Sequence, residues 1–252
     1  MAHTFIATID QAIHKLRQLV QLEVQHSRRD ITLLNIININ IDLIRINLQE
    51  CPTASFNEKG YIVFPQGRQV RWLAQKIVIP PTLQGYSVSG LSLRLVLTWW
   101  AEDAQIFING ELVQQGDLFD SSARVLITED AQPGKEYLVT IRLVSPNHDI
   151  GALMRSHLIY EKIATPKDID PGLVADELTV LCKYISQFEP EYLKLLAIEL
   201  EQFSWCNLQS AEQFEHDLSN LRERLLPLAK NMKQRCFNLL GHAHLDMAWL
   251  WT

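Results

Sequence analysis

The stretch LSLRLVLTWW, residues 91–100, decides how the central part of this chain folds. Leucine occupies every second position of residues 91–97, and the positions between carry serine, arginine and valine. Successive side chains of a β-strand point to opposite faces, so this alternation predicts a strand with one face in a core and the other partly wet. The neighbouring sequence must then supply the other strands of a sheet.

Turns on the C-terminal side of this strand indicate hairpins. Asn109 and Gly110 stand between two short apolar runs, and Asn-Gly tolerates the positive φ that a two-residue hairpin turn requires. Pro133 and Gly134 separate two further strand-like runs. Because these strands follow one another without helices, the sequence predicts an antiparallel β-sandwich over residues 60–162.

Aromatic and acidic residues near the predicted turns allow two interpretations. Trp99 and Trp100 are more often core or interface anchors than platforms for a sugar ring. The remaining candidates form a possible second metal site, although turns also require Asp, Asn, Gly and Ser, and the turn interpretation is preferred. These candidates are Asp117, Asp120, His148 and Asp149.

The N-terminal part, residues 1–59, precedes the sandwich. Isoleucines and leucines spaced three and four apart predict an amphipathic helix over residues 4–25. We expect this helix to pack on the sandwich or on a second subunit, which would make the protein a homo-oligomer. Residues 36–49 alternate Ile with Asn and then change phase, which predicts a strand with a bulge.

Residues 163–234 are predicted to form a helical linker. Helices are expected to begin at Pro171, at Pro190 and at about Ser210, and Pro227 is expected to end or interrupt the third. The glutamates of this linker are interpreted as solvated helix faces: Glu189, Glu191, Glu199, Glu201, Glu212, Glu215 and Glu223.

The tail, residues 235–252, carries the strongest candidate site. An apolar run at residues 236–240 predicts a buried strand, and its period of two would bring His242, His244 and Asp246 to one side. Imidazole nitrogens and a carboxylate oxygen suit Zn²⁺ or a similar divalent ion, with positions left for water or substrate. A strand that ends in such residues is typical of an α/β barrel. The whole chain is therefore predicted to have a mixed fold: a sandwich with flanking helices, a helical linker, and the first strand of a truncated barrel.

The run GHAHLDMAWLW, residues 241–251, resembles the start of the catalytic domain of glycoside hydrolase family 38, the retaining α-mannosidases, in its bacterial and cytosolic form. Residues 99–120 and 142–156 resemble the sandwich that precedes the barrel in these enzymes. The resemblance implies that His244 and Asp246 bind Zn²⁺ or another divalent metal such as Co²⁺, and that Trp249 contacts the sugar.

The resemblance also implies hydrolysis of terminal α-mannosidic bonds in mannose-containing oligosaccharides. The nucleophile and the other metal ligands would then lie beyond Thr252, so no catalytic residue is assigned and the chain is expected to be inactive alone. Two alternatives remain open: a metal-dependent amidohydrolase or nuclease-like barrel, and a non-catalytic module that binds sugar or mediates oligomerisation.

Composition restricts the partners and the compartment. A net charge of −6 gives no reason to expect nucleic acid or an acidic membrane surface as a partner. The four cysteines show no paired metal-ligand spacing and are expected to be reduced thiols. The sequence shows neither a signal peptide nor an apolar run of the roughly 18 residues that a membrane span needs. The protein is therefore expected to be cytoplasmic.

Overall fold

The computed structural model describes residues 2–34, 47–162, 169–208 and 210–236. Outside these ranges lie most of the 36–49 segment and the predicted site residues His242, His244, Asp246 and Trp249. The described α-helices are α1 (Ala2–Gln18), α2 (Pro171–Phe188), α3 (Leu193–Glu201), α4 (Ala211–Leu225) and α5 (Lys230–Lys233). Short 3₁₀ turns lie at Gln25–Ser27, Thr32–Leu34, Pro190–Tyr192 and Leu226–Ala229.

The described strands form two five-stranded antiparallel sheets and one short ladder. In chain order the strands are β1 (Gln21–Glu23), β2 (Arg29–Asp30), β3 (Ile62–Phe64), β4 (Val70–Val78), β5 (Thr82–Leu83), β6 (Tyr86–Ser87), β7 (Ser92–Trp100), β8 (Asp103–Ile108), β9 (Glu111–Gly116), β10 (Ser122–Thr128), β11 (Glu136–Val144) and β12 (Gly151–Glu161). The first sheet has the order β1-β12-β7-β10, with β3 also paired to β12, and the second has the order β2-β4-β11-β8-β9. Strands β5 and β6 pair only with each other.

Strand β7 confirms the alternation from which the prediction started. Its inward side chains are fully buried: Leu93, Leu95, Leu97 and Trp99. The residues between them remain partly exposed. The inward side chains share one core with Leu73 of β4 and Ile141 of β11, which belong to the other sheet. The two sheets therefore pack face to face, and the predicted antiparallel sandwich is confirmed.

The predicted hairpin is also present. Asn109 has a φ of 51° and Gly110 a φ of 86°, and Ile108 lies opposite Glu111 in the ladder between β8 and β9. Positive φ at both central residues is the conformation that an Asn-Gly turn favours.

The N-terminal part contributes to both sheets. Strand β1 pairs with β12 of the first sheet, β2 pairs with β4 of the second, and the turn Gln25–Ser27 crosses between them. Helix α1 ends at Gln18, earlier than the predicted end at residue 25, because the chain turns into β1 and the Val20 carbonyl accepts a hydrogen bond from the Tyr160 amide at 2.8 Å. Helix α1 packs against α2 and α3.

Helices α2 and α4 begin where the sequence predicts, whereas Pro190 opens a 3₁₀ turn and α3 begins at Leu193. The Asp170 carboxylate caps α2 by accepting from the Leu173 amide at 2.8 Å, and the Ser210 hydroxyl caps α4. The core continues from the sandwich into this layer, since the rings of Tyr86 and Phe214 lie 6.0 Å apart. We call α1 to α5 the helical layer.

The described residues contain no α/β barrel, and the predicted first barrel strand lies outside them from residue 237 onward. Within the described ranges, none of the helices has the length and apolar content needed to cross a membrane.

Candidate functional site

The loop between β9 and β10 is built around Asp117. Its carboxylate accepts hydrogen bonds from the Asp120 amide at 2.9 Å and the Phe119 amide at 2.7 Å, and these backbone donors lower the pKa of Asp117. An aspartate that bonds its own following backbone is a turn residue. The turn interpretation of Asp117 is therefore confirmed.

Trp99 is a core anchor and not a sugar platform. The side chain is fully buried, and its Nε1 donates to the Asp117 carbonyl at 3.2 Å. Gly116 lies so close that a Cβ there would be 2.5 Å from the Trp99 ring and 2.3 Å from the Asp120 carbonyl oxygen. The glycine is required by this close approach of the loop to the ring.

Trp100 points to the other face of the sheet and remains partly exposed. Its Nε1 donates to the Asp149 carboxylate at 3.1 Å. This carboxylate also accepts from the Ile150 amide at 2.7 Å, so it orders its own loop as well.

Of the two predicted metal sites, the structure tests only the second one. The described part of the chain contains no group of three or more His, Cys, Asp or Glu side chains placed to hold a metal ion. The second-site candidates are therefore not brought together: Asp117, Asp120, His148 and Asp149. The predicted ligands His244 and Asp246 and the predicted sugar contact Trp249 lie outside the described residues and stay predictions.

Glu215 lies in a polar cluster between the sandwich and the helices, which contradicts its interpretation as a solvated glutamate. Its carboxylate accepts from the Tyr86 hydroxyl at 2.9 Å and forms an ion pair with Lys162, and its side chain is only 18% exposed. Burial and the neighbouring Glu215 charge raise the pKa of Tyr86, so the phenol stays protonated and donates. We call these three residues the Glu215 cluster.

The sequence carried a weak indication of this position. Glu215 follows the buried Phe214 and precedes the buried Leu218 by three residues, so helical spacing places it beside the buried stripe of α4. A charged residue at the edge of a buried stripe is usually exposed, which is why the sequence predicted a solvated glutamate here.

The helical layer contains a groove. It lies between α2, α4 and the following turn, and has a volume of about 540 Å³. Its lining is mainly apolar and includes Leu173, Leu178, Val180, Leu181, Leu226 and Met232. We call this surface the helical groove.

One charged pair crosses the helical groove. The Glu177 carboxylate of α2 accepts two hydrogen bonds from the Arg222 guanidinium of α4, both at 2.6 Å, and this bonding raises the pKa of Arg222. The carboxylate is therefore committed to a bidentate ion pair. The lining also includes Glu223 and Asp176, which forms an ion pair with Arg17, but most of the helical groove is apolar.

Comparisons with known proteins give low structural likeness. A β-glucuronidase 2 from Bacteroides uniformis is 14% identical with a TM-score of 0.40, over 56% of this chain and 17% of that one. A family 2 glycosyl hydrolase from Bacteroides cellulosilyticus is 12% identical with a TM-score of 0.41, over 57% of this chain and 21% of that one. A β-glucuronidase from an uncultured Clostridium species is 12% identical with a TM-score of 0.38, over 57% and 29%.

This chain therefore spans less than a third of the length of these enzymes. No protein-family model matches the chain, and no curated protein matches it. At this level of likeness, the activities of those enzymes are not assigned to this chain.

These findings correct the family prediction. The similar solved structures are β-glucuronidases and family 2 glycoside hydrolases, so the predicted membership of family 38 and the predicted α-mannosidase activity are wrong. The amidohydrolase-like barrel and the sugar-binding or oligomerisation module gain no support either. The family prediction rested on the short runs at residues 99–120, 142–156 and 241–251.

Proposed function

We propose that the described residues form a non-catalytic domain of a glycoside hydrolase, and that its helical layer supports the next part of the enzyme. The helical groove supports this proposal. It is a mainly apolar groove with a volume of about 540 Å³, and its lining includes Lys233, close to the end of the described residues at Cys236. An apolar surface of this kind typically marks a contact site.

The bonding of the carboxylates supports a non-catalytic role. Glycoside hydrolysis uses two carboxyl groups on either side of the scissile bond, about 5 to 10 Å apart, with room for the sugar between them. Several carboxylates that are partly withdrawn from solvent bond to a cation instead: Asp30 to Arg71, Asp103 to Arg142, Glu161 to Arg94 and Arg124, Glu177 to Arg222, Glu199 to Arg224, and Glu215 to Lys162. The buried Asp170 carboxylate caps α2 and also accepts from the Lys162 amide at 3.1 Å.

The enzyme class is the one that the names of the similar solved structures give for those proteins. A turnover assay of the natural gene product tests this class. An oligosaccharide would be the substrate of such an enzyme.

Two further proposals concern the tail. His244 and Asp246 offer an imidazole nitrogen and a carboxylate oxygen, a donor pair that suits Zn²⁺ or Co²⁺. Trp249 offers an aromatic face to a sugar ring.

The test is an assay of the natural gene product, expressed in full, on a panel of nitrophenyl glycosides that includes glucuronides, galactosides and glucosides. We expect at least one to be hydrolysed. Hydrolysis of none would contradict the enzyme class.

The same assay tests the non-catalytic role through Asp149→Asn and Glu199→Gln. Asp149 is exposed and Glu199 is 23% exposed, and each is exchanged for an amide of the same shape whose oxygen still accepts a hydrogen bond from its partner, so we expect unchanged kcat and little change in the melting temperature. A loss of kcat by 100-fold or more in either variant, with the melting temperature retained, would show that the described residues contain the catalytic machinery.

A further inference from the structure

Helix α2 has more apolar surface than its contacts with the core use. Its residues Val174, Leu178 and Ile185 are buried in the common core. Leu173 and Val180 are also apolar, yet they are 41% and 56% exposed and line the helical groove. A helix that packs on one side only would carry polar residues at such positions.

The facing wall shows the same excess. Leu226, in the turn after α4, is 51% exposed and lines the same groove, as does Met232 in α5. Three large apolar side chains thus remain partly wet around one concave surface. Covering them would remove apolar area from water, which stabilises by about 25 cal/mol per Å² buried.

The walls of the helical groove are held at a fixed separation. Glu177 and Arg222 join α2 to α4 through two parallel hydrogen bonds. Both helices also pack into the common core through Leu178 of α2 and Leu218 of α4, so the groove is present before anything enters it. A preformed groove binds with a smaller loss of conformational entropy than one that must open.

The chain itself leads from the helical groove to an apolar segment. Met232 and Lys233 belong to the lining, and the described residues end at Cys236, three residues further on. The next sixteen residues, 237–252, include Phe237, two adjacent leucines and the run MAWLW. Extended, they reach about 50 Å, which is more than the groove requires.

We propose that the helical groove is the docking site of the chain's own residues 237–252. A segment tethered at the wall has an effective concentration in the millimolar range, which favours it over a free partner or a second copy at ordinary protein concentrations. The inference rests on the proposed function, in which the helical layer supports the part of the chain that follows it.

Hydrogen–deuterium exchange of the full 252-residue chain tests this docking. The variant Val180→Lys places a charge in the groove wall, and Val78→Lys is the matched control: Val78 is 51% exposed, lies in β4 and does not line the groove. We expect peptides from residues 237–252 to exchange at least tenfold faster in Val180→Lys than in wild type, and at the wild-type rate in Val78→Lys.

A reciprocal variant excludes a purely local effect. Leu240→Lys alters the segment and leaves the groove intact, so we expect peptides from α2 to exchange faster in this variant while peptides from β7 stay protected. Unchanged exchange of residues 237–252 in Val180→Lys would overturn the proposal. A wild-type dimer that Val180→Lys dissociates, without a change in the segment, would assign the groove to a second copy and would also overturn it.

These outcomes are independent of the enzyme class. The nitrophenyl glycoside assay measures turnover by the natural gene product, whereas exchange measures protection of the segment in the 252-residue chain. A failed docking test with retained turnover contradicts only the docking, and the opposite pattern contradicts only the class.

Discussion

Replacing Glu215 with alanine should destabilise the described fold, because this carboxylate bonds across the boundary between sandwich and helices. The side chain is 18% exposed and accepts from the Tyr86 hydroxyl while pairing with Lys162. A hydrogen bond to a charged group contributes about 1.5–3 kcal/mol, and breaking a buried ion pair costs about 3–5 kcal/mol. Since Lys162 is 29% exposed and can turn to water, we expect a loss of about 3 kcal/mol in the free energy of unfolding.

Urea unfolding followed by circular dichroism at pH 7 measures this loss. Glu212→Ala is the control on the same helix, because Glu212 is exposed and should cost less than about 1 kcal/mol through the helix dipole. Tyr86→Phe, alone and combined with Glu215→Ala, should reveal a coupling of roughly 1–2 kcal/mol in a double-mutant cycle. A Glu215→Ala loss no larger than that of Glu212→Ala, or a coupling near zero, would refute the structural role of the cluster.

Three further predictions concern packing, pH and metal. Gly116→Ala should lower the free energy of unfolding by about 1–3 kcal/mol, because the added methyl meets the Trp99 ring; a neutral result in urea would contradict the close approach. Burial lowers the pKa of His157 in the folded chain, so its imidazole binds a proton more readily when the chain is unfolded. The free energy of unfolding should therefore fall as the pH drops below about 6.5. His157→Gln should reduce that fall, and an identical pH profile would refute the assignment. In equilibrium dialysis, His244→Ala and Asp246→Ala should each remove weak Zn²⁺ binding by the chain, and tight binding that survives both would contradict the predicted ligands.

Local patterns were sufficient to predict the sandwich strands, the hairpin and the starts of α2 and α4. Leucine alternation in β7, the Asn109-Gly110 turn and the caps at Asp170 and Ser210 all act over a few residues, so the sequence states them directly. Each depends only on the conformation of residues that are adjacent or nearly adjacent in the chain.

Long-range pairing decided the features that the sequence interpretation missed. Strands β1 and β2 contain three and two residues and exist only because β12 and β4 offer partners far along the chain. Helix α1 ends early for the same reason. No local period marks strands of this length.

Buried charge was equally hidden from local patterns. Arg28 is fully buried, its Nη2 donates to the Ser156 hydroxyl at 2.6 Å, and burial lowers its pKa to about 9. Glu215 reaches its partners only after the helical layer folds onto the sandwich. The helical groove likewise depends on how α2 and α4 meet, and not on either helix alone.

Covalent labelling of the natural gene product tests the central claim most directly. A mechanism-based glycosidase inhibitor that matches the hydrolysed nitrophenyl glycoside is allowed to react, and the modified carboxylate is located by peptide mass spectrometry. We predict that the modified carboxylate lies outside residues 2–236. A label on a carboxylate within those residues, such as Asp149 or Glu215, would contradict the assignment of the described residues to a non-catalytic domain.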